Sequence, residues 1–224
     1  YHKSVLGIEG NSINILDPVR DELMDQVAGV KNALRMLGTA AGDGLADALL
    51  DEVLMDIYRA LWPEREHIQD WPTLSDVEKR LLAIAGDVKR LPIIQETAGL
   101  IAYRMRPLTR GSASHLFNRP TTVDFSLDRQ VTVYDVSRLP DQRTGGPLRA
   151  ALLAILVGDI NQSIRGKRRR GDTTPIGFFV DEMGILMRDP IMANYISEEY
   201  KTARARFVSM IVADQDLHSF LGPA

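Results

Sequence analysis

Ile176-Gly177-Phe178-Phe179-Val180-Asp181-Glu182 is an apolar run that stops on two adjacent carboxylates. Pro175 opens it, and its β-branched and aromatic content reads as a strand buried on both faces, as in a parallel sheet. Ligands of such sheets sit at the carboxyl ends of the strands. Two acids at that point suit a nucleotide and its Mg²⁺: the first carboxylate, Asp181, helps to hold the hydrated metal, and the second, Glu182, orients and polarises the attacking water. This is the Walker B pattern. A strand whose terminal acids merely face solvent or cap the next helix looks the same, so the run has to be read with its neighbours.

Downstream, Ile191 to Arg206 has the composition of a helix, and Phe207 to Ala213 reads as a second buried strand that ends on Asp214-Gln215. A strand, helix, strand unit puts Gln215 at the same sheet edge as Asp181 and Glu182, because parallel strands share their carboxyl ends. Upstream, Pro147 starts a helix filled by Leu148, Leu152, Ile155, Leu156, Ile160 and Ile164. The following stretch, Arg165 to Asp172, reads as a basic loop leading into the central strand. Its cations Lys167 to Arg170 suit a nucleic-acid backbone or an acidic partner, and equally a solvated surface. Thr121 to Phe125 and Gln130 to Val136 read as two strands of a hairpin or edge pair around Ser126-Leu127-Asp128-Arg129. From Thr121 onwards the alternation of short and long apolar segments is that of an α/β sheet.

Nearer the beginning, Ser12 to Pro18 reads as a short strand closed by Asp17-Pro18, and no start of a helix or strand is obvious before Val5. Leu23, Val27, Val30, Leu34 and Leu37 recur on one helix face that Gly38 can terminate. After a turn at Gly42-Asp43-Gly44, Leu45, Leu49, Val53, Leu54 and Ile57 repeat the pattern up to Tyr58. Between Trp62-Pro63 and Trp71-Pro72 lies a charged loop, whose tryptophans pin it to the helices or anchor a partner. Thr73 or Ser75 caps a third helix carrying Leu74, Val77, Leu81, Ile84 and Val88, and one more helix falls within Gln95 to Met105. Helices therefore dominate the segment 19–119.

Composition bounds the class. With 224 residues, 45% of them hydrophobic and 25% charged, the sequence is that of a soluble globular protein with one large core, or a core and a smaller subdomain. A formal net charge of -3 and a pI of about 5.8 argue against binding to nucleic acid through the overall field. Cysteine is absent, which excludes disulfides and thiolate metal sites. No run approaches the roughly 18 apolar residues of a spanning helix, and no signal peptide opens the chain. His2, His67, His115 and His218 have no paired spacing, so no metal site follows from them. Gly111-Ser112-Ala113-Ser114-His115 reads as a loop and not as a hydrolase elbow. Because the first residue is Tyr1, the chain reads as a piece of a longer protein.

An Ile-Asn-Ile-Leu-Asp-Pro segment, a helical insertion, Val-Tyr-Asp-Val-Ser, Phe-Phe-Val-Asp-Glu, an arginine-ended helix and a strand finishing in Gln follow one another in this order. The sequence resembles, over most of its length, the C-terminal ATPase domain of the VirB/Tra-type conjugation and type IV secretion ATPases. These belong to the FtsK-HerA superfamily of RecA-like motors. The resemblance implies an α/β fold: a RecA-like P-loop NTPase core with a mostly parallel sheet, formed by 1–18 and 120–224 and incomplete, with 19–119 as an all-helical insertion subdomain. It implies ATP and Mg²⁺ as cofactors, with the metal held by Asp181 through water and Glu182 at the attacking water. Gln215 would sense the γ-phosphate, and Arg204, or Arg206 beside it, would serve the nucleotide of an adjacent subunit. The implied partners are copies of the same chain in a ring, a hexamer, and other type IV secretion components; nucleic acid is allowed but not required. The implied location is cytoplasmic, peripheral at the inner face of the bacterial membrane.

Three departures qualify the resemblance. Asp214 precedes Gln215 where the family usually has threonine, and Ala205 follows Arg204 where it usually has lysine. No Gly-x-x-x-x-Gly-Lys-Ser/Thr occurs in the chain, so the backbone cradle and lysine for the β- and γ-phosphates are missing. The chain by itself is therefore expected to show no ATP turnover. Two alternatives stay open: a DNA-pumping motor of the same superfamily, and a non-catalytic assembly subunit that keeps the fold for contacts only.

Overall fold

The protein is described by a computed structural model over residues 2–7, 10–39, 44–138, 148–181, 184–187 and 190–214. It divides into two compact units, Tyr1–Ala151 and Leu152–Ala224. Among the described residues, strand pairing links β1 (His2–Gly7) only with β2 (Thr132–Arg138), and β3 (Ile176–Val180) only with β4 (Val208–Val212). Both pairs are parallel.

The first unit is built around four long helices: α1 (Leu23–Met36), α2 (Gly44–Leu61), α3 (Leu74–Gly86) and α4 (Pro92–Thr109). A short α5 (Ser114–Phe117) follows them. The periodic residues read from the sequence form the core, with Val27, Val30 and Leu34 on α1, Leu49, Val53, Leu54 and Ile57 on α2, and Leu74, Val77 and Leu81 on α3, all buried. Gly38, at φ +73°, follows the end of α1 in the left-handed conformation that only glycine adopts without strain. A capping box starts α3, the Asp76 carboxylate accepting the Thr73 N–H at 2.9 Å. Trp62 and Trp71 pack against Tyr58, with ring centroids 5.9 and 6.1 Å away, and so tie the intervening loop to α2. Val88 is not part of the α3 face: it lies past Gly86 and is 90% exposed.

Three strand expectations fail in this unit. The first strand is His2–Gly7, ahead of the segment that the apolar pattern marks. Ser12 to Leu16 is buried but forms no regular strand; Ile13 N–H bonds the Leu116 carbonyl at 2.8 Å and Asn14 N–H bonds the Thr121 hydroxyl at 2.8 Å. Asn14 also accepts the Leu16 N–H through its own side chain, a local bond that competes with a ladder. Thr121 to Phe125 is likewise irregular, and the expected hairpin with 130–136 does not form. Asp124 takes the Ser126 N–H in a local turn and Leu127 sits at φ +56°, which turns the chain out of extended geometry. β2 pairs instead with β1, in register from His2 with Thr132 to Val5 with Asp135.

α6 (Leu148–Arg169) leads into the second unit, followed there by β3, α7 (Gly184–Met187), α8 (Pro190–Ala203), a 3-10 turn (Arg204–Arg206) and β4. The expected helix start at Pro147 lies outside the described residues. Two corrections belong here. The basic stretch is not a loop from Arg165 onwards, because α6 continues through Arg169. Nor is β3 buried on both faces: its residues alternate, as do those of β4, and Phe179 and Ile211 are 70% and 49% exposed. Alternate side chains of a strand point to opposite faces, so the pair has one half-buried face and one exposed face that carries Phe179 and Ile211.

Candidate functional site

The register of β3 with β4 runs from Ile176 with Val208 to Val180 with Val212, so both strands finish together. Ala213 N–H donates to the Val180 carbonyl at 2.9 Å and extends the ladder one step beyond the strands. This brings Asp181 and the Ala213-Asp214 dipeptide to one edge, as expected from the strand, helix, strand reading. Asp181 is exposed there and Asp214 is half-buried. Glu182 and Gln215, the other two residues expected at this edge, lie outside the described residues. An exposed carboxylate on the carboxyl edge of a parallel pair fits a hydrated Mg²⁺ reached through water, since such a metal keeps most of its own water ligands. Among the described residues no group of three or more His, Asp and Glu side chains could hold a metal directly.

Arg204 and Arg206 are at the other end. The turn that carries them precedes Val208, and Ile176 N–H bonds the Phe207 carbonyl at 3.0 Å, closing the amino edge of the pair. At the rise of a parallel strand the two edges are about 13 Å apart. The two arginines differ sharply. Arg204 is exposed and its guanidinium has no hydrogen bond or ion pair among the described residues. Arg206 is engaged: it forms a short ion pair with Glu199 and donates to the Thr202 hydroxyl at 2.6 Å.

Glu199 was not singled out in the sequence, yet its carboxylate is shared by two arginines. It is 6% exposed and also binds Arg165 of α6 at 2.6 Å. A signal was available: Ile196, Glu199 and Ala203 fall on the buried stripe of α8, and a carboxylate on such a stripe requires cations nearby. Arg168 completes the arrangement. Its guanidinium donates to the carbonyls of Arg206 at 2.5 Å, Asp172 at 2.5 Å and Thr174 at 2.8 Å, and lies 5.8 Å from the centre of the Phe207 ring. Lys167 reaches Asp172 at 3.4 Å. Hydrogen bonds from Thr174, backbone first, together with Lys167, hold the Asp172 carboxyl down to about 2. Arg165, Lys167 and Arg168 thus fasten the turn into β3 and the turn into β4. This leaves less of the basic stretch to face an external polyanion.

Among solved structures, the chain is similar to VirB4 of Thermoanaerobacter pseudethanolicus, with a TM-score of 0.75 and 20% identity over 99% of this chain. The fold is VirB4-like. This likeness covers both units and shows a mixed helix and strand architecture with parallel strand pairs. The chain spans 59% of the length of that VirB4 chain. No protein-family model and no curated protein sequence matches it. No described helix is long and apolar enough to cross a membrane.

Proposed function

We propose that the chain is part of an ATP-hydrolysing motor of type IV secretion, with 1–18 and 120–224 contributing to a RecA-like core and 19–119 inserted in it. The observation that carries this reading is the exposed Asp181 at the shared carboxyl edge of β3 and β4 within a VirB4-like fold. Asp181 would hold Mg²⁺ through water, Glu182 would serve the attacking water and Gln215 would sense the γ-phosphate of the ATP bound with that ion. The bound Mg²⁺ would supply charge neutralisation for the transferring phosphoryl group. The Glu182 carboxylate would orient and polarise the attacking water. The turn arginines lie at the edge of the strand pair opposite Asp181, which supports a role for Arg204 toward a neighbouring copy in a ring. Because the phosphate loop is absent from this sequence, the activity belongs to the longer protein, whose natural partners are further copies and other secretion components at the inner face of the membrane.

The test is made in the full-length protein. Glu182→Gln should abolish turnover with ATP binding nearly unchanged, whereas Asp181→Asn should also weaken the Mg²⁺-dependent part of binding. Steady-state ATPase assays and calorimetry with and without Mg²⁺ separate the two effects. Wild-type turnover in Glu182→Gln would reduce the acidic pair to a strand-end decoration.

A further inference from the structure

The turn Arg204–Arg206 has no regular ladder of its own, yet it is fastened from three sides. Glu199 holds Arg206 from within α8, Thr202 takes a second N–H of the same guanidinium, and Arg168 of α6 donates to the Arg206 carbonyl. Phe207, immediately after the turn, is at φ +55°, a left-handed conformation that a bulky residue adopts only when its surroundings enforce it. The enforcing contacts are the Arg168 guanidinium over its ring and the Ile176 N–H on its carbonyl. Arg204 is the one arginine of this turn that these contacts leave extended into solvent.

We infer that Glu199 is a positioning residue: by clamping Arg206 and Arg165 it fixes the backbone from which Arg204 reaches the nucleotide of a neighbouring subunit, and Arg206 is the strut and not the reaching group. The inference rests on the function proposed above and deepens it by separating the two arginines. The physical argument is one of precision. A guanidinium delivered to a transferring phosphoryl group acts only if it arrives within a fraction of an ångström of its place, and a displacement of about 1 Å can cost on the order of a hundredfold in rate. A long side chain on a loose turn does not meet that demand. A buried carboxylate shared by two guanidinium groups has fixed, planar geometry and resists rotation of the turn. Glu199 touches no substrate in this arrangement and acts only through Arg204.

Full-length protein carrying Glu199→Gln, Arg206→Lys or Arg204→Ala tests the assignment. Arg206→Lys keeps the charge opposite Glu199 but loses the fork that also reaches Thr202, and serves should Glu199→Gln fail to fold. Both clamp variants should lower kcat about tenfold to a hundredfold at unchanged KM for ATP. Mixed with Glu182→Gln subunits, each should recover activity above the sum of the separate proteins, since the damaged arginine edge and the damaged acidic edge then lie on different subunits. A purely structural Glu199 lowers the thermal midpoint and leaves kcat per folded ring at the wild-type value; that result overturns the inference, as does a loss that mixing does not restore. Should Arg204→Ala itself turn over ATP at the wild-type rate, the arginine assignment under the proposed function fails with it. A dead Arg204→Ala beside fully active Glu199→Gln and Arg206→Lys removes the clamp alone.

Discussion

Two buried polar nodes hold the two units, and they are built from different chemistry. In the first unit the Gln26 side chain donates to the Asp17 carbonyl at 2.8 Å and to Tyr58 Oη at 3.1 Å, and that phenol donates to the Leu16 carbonyl at 2.6 Å. Burial pushes the Tyr58 phenol further up from its ordinary value, so it stays neutral. Every group that meets in this node is uncharged. In the second unit the node is the ion-pair cluster of Glu199 with Arg165 and Arg206. Neutral bonds between backbone and side chain fix α1 and α2 to the segment after β1. An ionic clamp contributes little net stability over an apolar replacement, but losing one partner is severe because a charge is left uncompensated. A node of the second kind is worth keeping where geometry, and not stability, is at stake.

The largest expected effect that sharpens this contrast is Glu199→Leu. Removing the acid leaves two facing guanidinium groups, and the second unit should lose about 3 kcal/mol, the lower end for a broken buried pair because both arginines keep some contact with water. Trp62 and Trp71 are both in the first unit, so their fluorescence in a urea titration reports that unit, while far-ultraviolet circular dichroism reports both. The dichroism transition should move to lower urea ahead of the fluorescence transition. Coincident shifts would break the comparison, since the two nodes would then be parts of one cooperative structure. Tyr58→Phe comes next. It deprives the Leu16 carbonyl of a donor and should cost about 1–2 kcal/mol, read as a shift of the fluorescence midpoint that added salt does not change.

The smallest effect is electrostatic. The Asp172 carboxyl is held down to about 2 against an ordinary value of 3.8, so its contribution to stability is complete above about pH 4 and is lost as the pH falls toward 2. Asp172→Asn should flatten the dependence of the thermal midpoint on pH across that window and leave the midpoint at neutral pH only slightly lower. The side chain is only half-buried, so the difference between wild type and variant should also shrink in high salt.

These nodes also mark where the sequence could be read and where it could not. The helices were legible because burial on one face imposes a period near 3.6, and Val27-Val30-Leu34 or Leu49-Val53-Leu54-Ile57 report that period directly. β3 and β4 were legible as short apolar runs, and the position of Asp181 followed from them. Apolarity reports burial, however, and not hydrogen-bonding partners. Ile13, Ile15 and Leu16 are buried without belonging to a strand, whereas His2–Gly7 is a strand whose partner lies far along the chain. The uncovered face at Phe179 and Ile211 was illegible for a related reason, because an apolar run does not say which of its faces the same chain covers. Glu199 was illegible because an acid on a helix reads the same whether it faces water or, as here, lies buried between two arginines.

The β1 and β2 pairing has a consequence for how the chain comes into being. β1 leaves the ribosome about 130 positions ahead of the residues of β2 that pair with it. At typical elongation rates that interval is on the order of ten seconds, far longer than the helices between them need to form. Throughout it the edge of β1 that β2 will cover is unpaired, the form in which nascent chains join wrong partners. Lys3 puts a charge on that waiting strand, His2-Lys3-Ser4-Val5-Leu6-Gly7, and later meets Asp135 of β2 at 2.7 Å. One side chain therefore guards the strand while it is alone and helps to register it when its partner arrives.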